Sequence, residues 1–110
     1  MRALTLILAL LAAPALAYDG LYYPDGYDGW DCTSIGSDGG ALAVQDGIIF
    51  GVGNMCALTN AVPVRGLDAT LYDAQCMGEG SETSERMMLM STAEGLAIVR
   101  DGFVVLWHRC

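Results

Sequence analysis

Apolar and polar positions alternate in short blocks along this chain, and the blocks are separated by turn residues. Ala41 to Val44 is apolar, Asp46-Gly47 interrupts, and Ile48 to Val52 resumes. Leu96 to Val99, Asp101-Gly102 and Phe103 to Trp107 repeat the arrangement. Asp-Gly suits a tight hairpin because its central residues need positive φ, which Gly adopts freely and Asp tolerates. Both stretches therefore read as β-hairpins. Four further Asp-Gly pairs, at residues 19, 25, 28 and 38, mark more turns.

Between the hairpins, Leu67 to Met77 reads as a longer strand. Arg86 to Ser91 reads as another, joined to Leu96 through Ala93-Glu94-Gly95. Gly78 to Glu85 is polar enough to be a solvated connection, with room for one helical turn at Ser84 to Met88. No longer window repeats apolar residues with helical period, so helix is the minority state. Pro63, between Val62 and Val64, marks an edge strand or a connection.

The last strand breaks the alternation. Phe103, Val105 and Trp107 share one side, while Val104, Leu106, His108 and Cys110 share the other. A strand that is apolar on both faces needs cover, and the aromatic stretch Tyr18 to Asp31 is expected to supply it as an arm over the body. The expected fold is all-β: a small antiparallel barrel or sandwich of six to eight short strands, stapled by two disulfides.

Residues 1–17 have a different composition. Arg2 precedes an apolar run that Pro14 interrupts, and Ala15-Leu16-Ala17 ends it in an A-x-A pattern. This predicts a cleaved secretory signal followed by one domain at 18–110, released to the periplasm or secreted, with no membrane attachment after cleavage. No cysteine begins that domain, so lipid attachment there is not expected.

Four cysteines in a short exported chain predict two disulfides. Three pairings are possible, and the sequence does not choose among them. The sequential one, Cys32–Cys56 and Cys76–Cys110, is the expectation carried forward. A thiolate metal site would want a C-x-x-C knuckle, which is missing.

Charge narrows the partners. Residues 18–110 hold four arginines, no lysine and all 13 acids, a net charge of −9. Nucleic acid and anionic lipid are poor partners for such a surface, whereas a basic envelope or host protein is a fitting one. Oligomeric state is not readable from these features.

Candidate recognition residues fall in two groups. Tyr22, Tyr23, Tyr27 and Trp30 could stack on a sugar or cation, and Glu79, Glu82 and Glu85 could meet a basic partner. Asp25, Asp28 and Asp31 lack the spacing of a calcium loop. The Met87-Met88-Leu89-Met90 run alternates faces and so reads as core in place of a copper site. No cofactor or metal is expected. His108 stands alone beside Cys110, no serine lies in a G-x-S-x-G elbow, and the 13 acids have little room for a deep cleft. No catalytic residues are assigned, and a small hydrolase is the least favoured reading.

Trp30-Asp31-Cys32, the Asp38-Gly39-Gly40 turn, Cys56 after a strand, Cys76 followed by Met77-Gly78-Glu79-Gly80, and the terminal His108-Arg109-Cys110 form an ordered framework. It resembles small four-cysteine β domains that Gram-negative bacteria export to the periplasm. More distantly it is similar to the periplasmic inhibitors of C-type lysozyme, small β-barrels that insert a serine and a lysine into the enzyme's cleft. This chain lacks a lysine and has no counterpart of that inserted motif. The resemblance implies a fold and a compartment. The expected function is that of a non-enzymatic exported binding or structural protein of the cell envelope, with a lysozyme-inhibitor-like protein as the alternative.

Overall fold

The computed structural model describes residues 18–110, and the expected signal segment lies outside them. The described chain is all-β. Eight strands follow one another: β1 (Gly20–Pro24), β2 (Leu42–Gln45), β3 (Ile48–Gly51), β4 (Asn54–Pro63), β5 (Ala69–Gly78), β6 (Ser81–Ser91), β7 (Gly95–Arg100) and β8 (Phe103–Arg109). Each pairs antiparallel with the next, and β1 pairs with β8, which closes the barrel. Closure gives every strand a partner on both sides over at least part of its length.

Strand register follows the hydrophobic pattern. Tyr22, Leu42, Val44, Ile49, Ala74 and Leu89 are among the buried residues that face the interior, with Leu96 and Ile98 facing them from β7. The Asp46-Gly47 turn is the predicted hairpin, both residues having positive φ (51° and 78°). The β4–β5 partnership is bulged between Thr59 and Val62, and Pro63 sits at its end opposite Thr70. Beyond Ala57, β4 has no ladder partner on β3. Pro63 thus occupies a local edge, where a missing N–H costs no ladder bond.

The strand expectations need adjustment at several points. The fifth strand starts at Ala69 because Val64 to Asp68 makes a turn, with the Leu67 N–H donating to the Val64 carbonyl. The expected loop from Gly78 to Glu85 shrinks to a two-residue turn at Glu79-Gly80 (φ 52° and 78°). Ser81, Thr83 and Ser84 belong to β6 and pair with Gly78, Cys76 and Gln75. No helical turn forms at Ser84 to Met88. The inward side chains at this end are polar because they line an open mouth, so hydrophobic alternation vanished while the strand continued.

The aromatic arm is the larger correction. Residues 20–24 are wall, not cover: β1 lies between β2 and β8, with Tyr22 opposite Leu42 on one side and Arg109 on the other. The outward face of β8 stays open, Val104 being 56% and Leu106 50% exposed. Cross-strand register extends that face through Val99 and Ala97 of β7 to Met88 and Met90 of β6.

The disulfides also differ from the sequential expectation. Cys32 bonds to Cys110, and Cys56 bonds to Cys76. Cys56 and Cys76 are direct partners on β4 and β5, facing inward with Cα atoms 3.9 Å apart. Cys32 meets the chain end because the Cys110 N–H donates to the Leu21 carbonyl, which lays the C-terminus along β1. Contacts between segments distant in the chain, outside the reach of a sequence count, thus fix both pairs.

Residues 25–41 link β1 to β2 and are shaped by one carboxylate. Asp31 Oδ1 accepts the N–H groups of Thr33 (2.7 Å) and Ser34 (2.9 Å), and its Oδ2 accepts the Ser34 hydroxyl (2.9 Å). Gly40 closes the loop so tightly that a Cβ there would stand 2.1 Å from the Ser34 carbonyl oxygen.

Candidate functional site at the barrel mouth

Period-two alternation carries Leu96, Ile98 and Arg100 along one face of β7, so Arg100 points into the barrel. On β6 the same rule turns Glu85 inward beside Met87. The two meet as a bidentate ion pair: Arg100 Nε donates to Glu85 Oε1 at 3.3 Å, and the terminal nitrogen donates to Oε2. Both side chains are about two-thirds or more buried, at 34% and 24% exposure. The Phe103 ring covers the guanidinium at 5.4 Å. Cys76 Sγ lies 3.9 Å from Glu85 Oε2, which brings the Cys56–Cys76 bridge to the same place.

Asn54, Ser81 and Thr83 complete this polar mouth, around a cavity of about 360 Å³. Beside it, on the outer wall, a second and more apolar hollow of about 560 Å³ runs over Phe50, Met55 and Met77 toward Glu82. The mouth offers hydroxyl, amide and guanidinium donors. It has no free thiol, since all four cysteines are bridged.

The candidate aromatic residues do not form one surface. Tyr22 is fully buried, its hydroxyl donating to the Tyr18 carbonyl and Arg109 lying 5.0 Å over its ring. Burial raises its phenol above the ordinary tyrosine value, with Arg109 opposing. Tyr23 stacks on His108 at 5.3 Å, and His108 Nε2 lies 2.6 Å from Asp25 Oδ1. Trp30 packs against the core, leaving Tyr27 as the exposed member at 62%.

The acidic group is divided as well. Glu79 sits in the β5–β6 turn, Glu82 faces outward opposite Met77, and Glu85 faces inward to Arg100. Residues three apart on a strand point to opposite sides, so Glu82 and Glu85 cannot meet one partner together. Sequence reasoning missed Arg100, although its spacing from Leu96 and Ile98 carried the signal. It also missed Phe50, Met55 and Met77, because register across three strands has no linear signature.

The remaining cations are largely engaged. Arg86 Nε donates to Asp73 Oδ1 at 3.0 Å, and Asn60 donates to Asp73 Oδ2 at 2.8 Å. The Asn60 and Arg86 bonds hold the Asp73 carboxyl below its ordinary value. Among the described residues, no three His, Cys, Asp or Glu side chains converge on a metal position.

Asp31 supplies a pH test. Its bonds from the Ser34 and Thr33 backbone, then from the Ser34 hydroxyl, lower its pKa to about 2. A carboxylate depressed on folding stabilises above its unfolded value, 3.8, and that contribution is lost as pH falls through about 2. Melting temperature should therefore fall between about pH 4 and pH 2, less steeply for Asp31→Asn. Identical pH profiles for the two proteins would contradict this role.

The fold defines a small closed antiparallel β-barrel carrying two disulfides of the kind an oxidising compartment supports. Compared with family models, curated proteins and solved structures, the chain matches none.

Proposed function

We propose that this chain is a non-enzymatic, exported binding protein of the cell envelope whose partner is a basic protein. The observation that carries the reading is the distribution of charge on the barrel. Of the four arginines in residues 18–110, Arg86 and Arg100 are paired with Asp73 and Glu85, Arg109 lies over Tyr22 and Arg65 is exposed. Against them stand 13 acids, so the outer field is strongly negative. Such a field accelerates encounter with a cationic protein and weakens as salt screens it. Export follows from the A-x-A segment at residues 15–17 and is supported by the two disulfides.

The lysozyme-inhibitor-like reading is the case in which the partner is a C-type lysozyme. The missing lysine means that any such inhibition would need different contacts. The test is retention of the oxidised protein on immobilised C-type lysozyme. Retention at low salt with elution as salt rises is the expected result. Passage without delay at low salt, on lysozyme and on other basic proteins alike, would overturn the reading.

A further inference from the structure

We propose that the outer hollow over Phe50, Met55, Met77 and Glu82 is a slot for a lysine or arginine side chain of the basic partner, an inference that rests on the binding reading above. The four residues form a single outward row. Phe50 pairs with Met55, Met55 with Met77 and Met77 with Glu82, so the row crosses β3, β4, β5 and β6 at one level. Met55 and Met77 are 36% and 49% exposed, uncommon positions for two thioethers. The hollow is about 560 Å³ and is bordered by glycine backbone at residues 51, 53, 78 and 80, which keeps its edges low.

The row is apolar along three strands and ends on a carboxylate. Neighbouring strands lie about 4.8 Å apart, close to the length of the four-carbon stem of lysine. A stem laid over Met55 and Met77 therefore brings its ammonium within reach of Glu82. Long cationic side chains favour this division, with the stem on apolar surface and the head at a polar rim. Unbranched thioethers adapt to stems of different shape, so arginine fits by the same means. Among the described residues neither Glu82 nor Glu79 in the adjoining turn is tied up by an ion pair, whereas the nearby Glu85 is committed to Arg100 inside the barrel. A second copy is a poor occupant, because it would bring another acidic surface against these glutamates.

The experiment uses oxidised protein labelled with ¹³C at the methionine methyl groups, titrated with Nα-acetyl-lysine methylamide and separately with its neutral norleucine isostere. The lysine probe should move the Met55 and Met77 methyl signals and leave buried Met87 in place, with the isostere binding more weakly. Glu82→Gln should weaken the lysine probe about threefold, the scale of a solvent-exposed ion pair. An unchanged Met87 signal in that variant shows that its core is intact. Unmoved Met55 and Met77 signals, equal binding of the isostere, or an indifferent Glu82→Gln variant would each overturn the slot.

Lysozyme retention is read independently. Retention with unmoved methyl signals removes the slot and leaves the binding reading. Methyl shifts specific to the lysine probe without retention on lysozyme or on the other basic proteins remove that reading and support the slot.

Discussion

Replacing Cys32 and Cys110 together by serine is expected to destabilise the protein by about 4.5 kcal/mol, the chain-entropy value for a separation of 78 residues. For a domain of this size that lowers the melting temperature by roughly 20 °C or more. The same treatment of Cys56 and Cys76, 20 residues apart, should cost about 3 kcal/mol. The order of the two effects is the sharper forecast, because it opposes intuition from the folded state. Cys56–Cys76 is the more buried bridge and lies at the mouth, yet it joins strands already next to each other in the chain.

Cys32–Cys110 closes a far longer loop and clamps the barrel seam, where β1 and β8 share only three register pairs. Hydrogen exchange should accordingly show the amides of β1 and β8 losing protection first when the Cys32–Cys110 pair is removed. Calorimetry of the two double variants decides the ranking. A Cys32/Cys110 variant that melts within a few degrees of the parent would contradict the seam argument.

Tyr22→Ala should be the most damaging single replacement among the aromatic candidates, at about 3 to 5 kcal/mol. Its ring is fully buried, lies 5.7 Å from Trp107 and carries Arg109 on its face, while its hydroxyl serves the Tyr18 carbonyl. Truncation leaves a cavity, uncovers the cation's support and orphans the carbonyl. Tyr27→Ala, on an exposed loop residue, should change stability by no more than about 0.5 kcal/mol. Denaturant midpoints for the pair test the assignment. Comparable, small losses in both would mean that Tyr22 is not a core residue. The contrast matters for function, since loss of partner binding by Tyr22→Ala would report unfolding unless Tyr27→Ala shared it.

Much of the barrel was legible in the chain. The two Asp-Gly hairpins, the C-terminal meander and the absence of helix among the described residues follow from alternation and turn chemistry, which act over two to four residues. Where the interior turns polar, at Ser81, Thr83 and Glu85, the alternation signal fails, and a strand resembles a loop. The aromatic and aspartate content of Tyr18 to Asp31 looks irregular, which makes the stretch resemble a cover. Its short segment Gly20–Pro24 becomes a strand through two neighbours, one of them more than 80 residues away.

The sequence by itself determined the secondary-structure type, the two Asp-Gly hairpin turns, the acidic balance and the number of disulfides. These depend on side-chain type and near neighbours. Tertiary structure decided which cysteines pair, that β1 seals the seam, that Glu85 turns inward to Arg100, and that Phe50, Met55, Met77 and Glu82 stand in one row. Each of those depends on register between strands. Register is set when the whole barrel closes and every inward face is buried at once, so no local stretch of chain contains it.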